Sequence, residues 1–455
     1  TANELEKKYS TQLGASRYKK DSTKQSNKWY WSALSILDKQ DKTIGSDLKF
    51  WHFTGSENFF DKSDTGSGQE AKNQVATGLD KHVKQLDTPM LDDLKGIPVD
   101  FWQVMAKIAL GSPAVIMLRC LFKLFPNYMK YVGLFMFAAS QVAFGFRSLF
   151  NGPDAIMILR GMGEDSYWEQ VLDYSIEGNL QAVMDEYVHV FHDVNGLVNK
   201  GPVKGAFTLA EKISAAVSLR TSTGKVDHIT VDDARKTITI LGNRILRYNF
   251  AMPFGQNTES EDKTNRDENV RNAFNSPFRP FVLASTSIGQ EGLDFHLYCH
   301  SLWHWNLPGN PVDLEQREGR INRYKGHLIR RNIVDKINPR LSDFTGDLWN
   351  SIFLQAEKTK QEQDNDLIPY WIFEHGSHKL RRHVPALLMG KELQHYEDLK
   401  RTLVLYRMVF GQPRQQDLLE YLQSVIDPAI LERLKNEMMI NLSPVSFVGR
   451  GAECE

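Results

Sequence analysis

With 455 residues, 41% of them apolar and 11% aromatic, the chain has enough hydrophobic material for about two to four domain cores, which excludes global disorder. Its 55 basic and 56 acidic side chains nearly cancel, so any pull on a polyanion must come from local patches and not from the summed field. Three cysteines, Cys120, Cys299 and Cys454, do not form a disulfide framework and suit a reducing cytoplasm, and the start at Thr1 without a secretory signal leads us to expect a fragment of a longer polypeptide.

In chain order, residues 1–99 are polar and broken, and the turn-rich patch DKSDTGSGQEAK at 61–72 reads as an exposed loop. Glu70 and Lys72 have the E-x-K spacing of some nuclease sites, but no acidic partner can be placed upstream, so loop is the expectation. Residues 100–205 turn apolar and helical. There Leu180, Val183, Met184, Tyr187, Val188 and Phe191 recur at spacings of three and four, which marks one buried face. The uncharged run YVGLFMFAASQVAFGF, from Tyr131 to Phe146, falls short of the roughly 20 apolar residues of a membrane span. It is expected to be a core helix, with no membrane partner. Within 206–345 the period changes: ITILGNRILRYNFAMPF and PFRPFVLAST carry β-branched and aromatic runs, expected as buried strands of an α/β sheet. Residues 346–455 read as a helical extension, with Leu399, Leu403, Tyr406 and Phe410 on one stripe and a break at Gly411 and Pro413. No internal repeat is visible.

Two linked stretches carry chemistry, FVLASTSIGQEGLDF at 281–295 and LEQREGRINR at 314–323. Arg320 and Arg323 stand three residues apart and can share a helix face. Small hydroxyls at the carboxyl end of a strand, as in Ser285 and Thr286, suit the phosphate of a bound nucleic-acid strand. A lone R-x-x-R is most simply an ion-paired helix surface; the ordered combination of strand, S-T, G-x-D, Asn310-Pro311 and Q-R-x-G-R-x-x-R is harder to obtain by chance.

That combination resembles motifs V and VI of superfamily-two helicases and translocases, with wording similar to the Swi/Snf-like branch and related bacterial helicases. The resemblance is strongest over 265–330. It implies a RecA-like parallel-sheet lobe (206–345) flanked by a helical inter-lobe region (100–205) and a helical extension. It also implies that Arg320 and Arg323 act as arginine fingers on ATP and that Gln316 touches the phosphates. Gly292, Asp294, Gly319 and Arg317 would lie around the nucleotide, with Asp294 facing it or pairing with the motif VI arginines. Ser285 and Thr286 would contact the nucleic-acid backbone. Ser287 departs from the pattern, since many relatives are acidic there. The implied partner is DNA, duplex favoured, and a role in bacterial genome defence follows only from similar helicases.

Such an enzyme needs a G-x-x-x-x-G-K-[ST] loop to cradle phosphates and help hold Mg²⁺. The Gly224-Lys225 and Gly390-Lys391 pairs do not fit it. ATP and Mg²⁺ are therefore expected on a phosphate-loop lobe supplied in cis or by a partner chain; a catalytically silent DNA-binding scaffold, or one subunit of a split enzyme, is the alternative. The box Asp185-Glu186-Tyr187-Val188-His189 imitates D-E-x-H but sits in the helical stripe. His296, Cys299, His300 and His304 have zinc-like composition but read as core and surface residues, so no metal site is expected. Between Glu318 and Arg340 seven basic residues, including Lys325, Arg330 and Arg331, face two acidic ones. This is either a solvated helix or a phosphate-backbone surface.

Overall fold

The structure, a computed structural model, describes residues 2–9, 17–18, 97–127, 132–161, 166–219, 222–232, 237–248, 261–285, 294–339, 346–361, 365–373, 376–387, 389–409 and 415–438. Two compact units divide the chain, one of residues 1–221 with 344–349, the other of residues 222–343 with 350–455.

The first unit is helical: α1 (Ala2–Tyr9), α2 (Phe101–Gly111), α3 (Pro113–Leu124), α4 (Val132–Phe150), α5 (Pro153–Arg160), α6 (Tyr167–Glu177), α7 (Leu180–Val194) and α8 (Pro202–Val217). Proline occupies the first turn of α3, α5 and α8, where its missing N–H costs no helical bond. Helix α4 holds the uncharged run and is long and apolar enough to cross a membrane, yet Phe135, Phe137, Ala138, Val142 and Phe146 are buried. It packs on α3 and α8, which makes it the core helix of this unit. Helix α7 buries Leu180, Met184, Tyr187, Val188 and Phe191, while Val183 stays half-buried. The expected boundary at 205/206 falls inside α8, whose Ala206, Leu209, Ala210 and Ile213 are buried in this unit.

In the second unit β3 (Ser222–Asp232) and β4 (Thr237–Tyr248) follow the two-residue pair β1 (Arg17–Tyr18) and β2 (Ile97–Pro98) of the first. They pair antiparallel, with a register shift between Asp227 and Ile229. Parallel strands of an α/β sheet were expected here; the four residues 233–236 are far too short for a parallel crossover, which needs about a dozen. Next come α9 (Glu261–Phe274), β5 (Ser301–Trp303), α10 (Pro311–Gly319), α11 (His327–Ile337), α12 (Leu348–Glu357, its first two residues counted with the first unit), β6 (Arg381–His383), α13 (Glu392–Val409), α14 (Gln415–Val425) and α15 (Pro428–Met438). The strand expected through PFVLAST does not form over the described residues 281–285, which have no regular structure, and Phe281 and Val282 are 79% and 84% exposed. Among the described residues no strand pairs with it, and an unpaired strand cannot satisfy its backbone. The parallel sheet is represented there by β5 and β6, three residues each.

On α13 the buried positions are Leu399, Val404, Leu405 and Val409, so of the stripe read from the sequence Leu399 is buried while Leu403 and Tyr406 are half-buried, Tyr406 packing against the buried cluster. Leu405 and Val409 pack with Leu419 of α14, and Leu431 of α15 closes the cluster, which rotates the buried face. Phe410, Gly411 and Pro413 lie outside the described residues.

Where α4 meets α8, Gly145 has no room for a side chain: a Cβ would stand 2.7 Å from Val217 Cγ2 and 2.9 Å from the Ser214 Cα. Gly145→Ala gains about 1 kcal/mol of helix propensity, but overpacking against backbone costs about 1–3 kcal/mol. We expect a net loss of stability, read as a lower denaturation midpoint of the helical unit at unchanged slope.

Candidate functional site

The site is built on α10. Asn310 caps it, its side-chain oxygen accepting the Val312 N–H at 2.9 Å, and Pro311 opens the first turn. At the far end the chain stays αR through Arg320 and then turns back to α11. This return segment lies beside residues 294–297: Phe295 N–H donates to the Arg320 carbonyl at 2.9 Å, and His327 N–H donates to the His296 carbonyl at 3.1 Å. Asn275, from the end of α9, donates to the Asp294 carbonyl at 2.6 Å. Backbone pairing thus carries Asp294 to Arg323.

The three arginines have different surroundings. Arg323 is held at both ends, Nη1 ion-paired with Asp294 at 2.7 Å and Nε donating to the Gly319 carbonyl at 3.0 Å. Arg317 donates to the Asn306 carbonyl at 2.7 Å, tying α10 to the turn after β5. Arg320 has a buried Nε without a hydrogen-bond partner and makes no ion pair among the described residues. Gln316, exposed, stands four residues before Arg320 and shares its helix face. Gly319 was expected to admit close backbone approach, but nothing lies within 4 Å of its missing Cβ, so no neighbour in the described protein requires it.

The basic surface is smaller than the sequence suggested. Lys325, 5% exposed, has its Nζ 4.4 Å from the Phe353 ring centroid and also over Tyr324 and Tyr370. Arg330 is fully buried; its guanidinium donates to the carbonyls of Lys325 and Leu297, both at 2.6 Å, and lies over Tyr298. Neither side chain is placed to meet a phosphate backbone, because each charge is already compensated inside the fold. Arg331 is exposed, as is Ser285. Thr286, Ser287, Gly292, Glu70 and Lys72 lie outside the described residues.

Sequence spacing gave no hint of the residues that brace α10. Glu318 accepts two hydrogen bonds from Arg382 of β6 and stands 3.4 Å from His304 Nε2, and Glu315 pairs with Arg407 of α13. Arg382 and Arg407 come from 64 and 92 residues away, beyond the reach of any local pattern. Burial pushes the Glu318 carboxyl up, but the bonds from His304 and Arg382 and the Arg382 charge outweigh this and hold it below the usual range.

Residues 215–325 match the family model of the helicase conserved C-terminal domain. The match ends at Lys325 and takes in the whole Asp294 to Arg323 arrangement. No curated protein and no solved structure matches the chain. Within the matched segment, His296, Cys299, His300 and His304 do not gather: among the described residues no cluster of three or more such ligands could hold a metal ion. The side chains of the acidic box in the first unit are engaged within the fold. Asp185 pairs with Lys123 at 2.5 Å and accepts from Gln181, and His189 pairs with Asp347 at 2.7 Å. Cys120 donates to Asp185; burial and then the Asp185 charge push its thiol well above the usual range, which disfavours the thiolate.

Two expectations follow for the second unit. Arg330→Met would strand two carbonyls, each costing about 1–3 kcal/mol, so chemical denaturation of the second unit should begin at clearly lower urea. Arg330→Lys should recover little, because an ammonium lacks the planar fork that spans both acceptors. The second concerns acid. Burial, chiefly, lowers the His296 pKa from 6.5 to about 4 and that of His327 to about 3. Folded His296 stays neutral while the unfolded chain takes up a proton, so stability is full above pH 6.5 and falls as pH drops towards 4. At pH 5 the His296 share of the loss is about 2 kcal/mol. Melting at pH 7 and pH 5 should show it, and His296→Gln should remove about half of the difference, the His327 share remaining.

Proposed function

We propose that the chain supplies the second, RecA-like lobe of an ATP-dependent helicase or translocase of superfamily two, the phosphate-loop lobe being joined in cis or by a partner chain. The observation that carries this is the helicase C-terminal match over 215–325, which takes in α10 and the turn after it, where Arg323 is held by Asp294 while Arg320 and Gln316, on one helix face, make no ion pair among the described residues. A guanidinium that no described carboxylate engages can reach charge on a phosphate presented by another lobe. Arg323, held at both ends, positions the turn. This makes Arg320 the stronger candidate for the finger, with Gln316 beside it on the phosphates and Gly319 leaving open space at the helix end.

ATP and Mg²⁺ are the cofactors of this reading. Mg²⁺ would be held mainly by the other lobe; within this chain Arg320 and Gln316 would bind phosphate oxygens. The arginine charge is worth most in the transition state, when negative charge spreads over the transferring phosphoryl oxygens. DNA is the partner, contacted through Ser285 and its neighbours and through exposed basic residues such as Arg331. Swi/Snf-like wording favours duplex translocation.

The test is ATP turnover with the phosphate-loop lobe restored. Arg320→Ala should lower kcat about 10²–10⁴-fold with ATP binding nearly intact, and Arg320→Lys should rescue poorly. The 455-residue chain by itself should release no phosphate. A stable Arg320→Ala enzyme with unchanged kcat would remove Arg320 from the chemistry, and DNA binding without turnover in the joined enzyme would identify a silent scaffold.

A further inference from the structure

The outer face of the β5 and β6 pair is aromatic and basic, and none of the contacts around α10 uses it. In the parallel register Ser301 stands opposite Arg381, Leu302 opposite Arg382 and Trp303 opposite His383. Side chains alternate across a strand. Arg382 reaches Glu318 on the inner side, as does buried His304, so Trp303, His383 and Arg381 share the other side. Trp303 is 64% exposed and lies flat on His383, ring centroids 4.3 Å apart and planes at 12°. Trp305, two residues on and flanking the inward His304, is 80% exposed.

Two indoles at such exposure are expensive to leave against water unless a ligand covers them. The charge beside them identifies that ligand. Arg381 and Arg331 are both exposed, make no ion pair among the described residues, and lie close enough to His300 for their charges to disfavour its protonation. Lys379 adds a further exposed cation. An apolar protein surface would gain nothing from these cations, whereas a nucleic-acid strand offers aromatic bases and phosphates together. A base within a duplex has both faces covered by its neighbours; only an unpaired base can stack on a side chain.

We propose that Trp303 stacked on His383, with Trp305 beside it and Arg381 and Arg331 at its margin, is a platform for the unpaired bases of single-stranded nucleic acid. The platform rests on the reading of the chain as a nucleic-acid enzyme, and it adds a contact for an unwound strand, apart from the backbone contacts of Ser285. Its position fits that role mechanically: Arg317 holds the Asn306 carbonyl next to Trp305, and Glu318 holds β6 through Arg382, so α10 is braced against both sides of the platform.

Fluorescence anisotropy with labelled oligothymidylate and a labelled duplex tests this on the full chain. Wild type should bind oligothymidylate with quenching of tryptophan emission, and more weakly as salt rises from about 50 to 200 mM. The double variant Trp303→Ala/Trp305→Ala should lose roughly 5- to 150-fold in oligothymidylate affinity, the worth of stacking one base, with duplex affinity nearly unchanged. Trp303→Phe should retain most of it. If the double variant does not fold, Trp305→Ala, at a side chain mostly in solvent, decides alone. Folded variants that bind oligothymidylate like wild type overturn the platform, as they would if it took a protein partner, while leaving the nucleic-acid reading standing. Wild type that binds neither DNA overturns both.

Discussion

The helicase-like unit is organised around one buried guanidinium. Arg330 has no exposed surface, and its fork spans the carbonyls of Leu297 and Lys325, residues 28 apart in sequence that must lie side by side for the site to exist. A buried charge without hydrogen bonds would cost several kcal/mol. Here the two carbonyls and the Tyr298 ring replace water, so the arginine is tolerated only if residues 294–298 and the turn after α10 are in register. The same register sets Asp294 against Arg323 and aligns the bonds from Phe295 and His327.

Lys325 shows how completely that turn is fixed. Its backbone is left-handed, with φ of 49°, a conformation that a side chain makes unfavourable. Its N–H donates to the Tyr370 carbonyl at 2.7 Å, and three aromatic rings surround its ammonium. Cation–π attraction in a desolvated cage contributes about 2 kcal/mol, enough to offset the strained backbone. The two basic residues nearest the arginine motif thus hold the turn, and the motif arginines are left to differ in how free they are.

A second theme is the separation of inward and outward chemistry over very short strands. Three residues of β5 and three of β6 suffice to place Arg382 and His304 on Glu318 while turning Trp303 and His383 outwards. Alternation at period two does this without a large sheet, because one inward ion pair fixes which face is which. The helical unit uses a different device. Close helix contact at Gly145 and Gly111, where added methyls would strike Ser214 and the Leu172 carbonyl, lets α4 meet α8 and α2 meet α6.

The sequence by itself determined the helical character of the described residues between 100 and 205, the core role of the apolar run in Val132–Phe150, and the linkage of Asp294 to 314–323, because helical periodicity and motif order are local properties of the chain. Tertiary structure decided what local pattern cannot encode. It set the antiparallel pairing of Ser222–Asp232 with Thr237–Tyr248, the exposed course of 281–285, and the buried face of α13, each a matter of which distant segment arrives as a neighbour. It also divided basic residues that look equivalent in sequence: Lys325 and Arg330 point inwards, Arg323 is paired, and Arg320 makes no ion pair among the described residues. Charge in a sequence has no direction. Only packing decides whether a cation is compensated within the fold or left to meet an anion from outside.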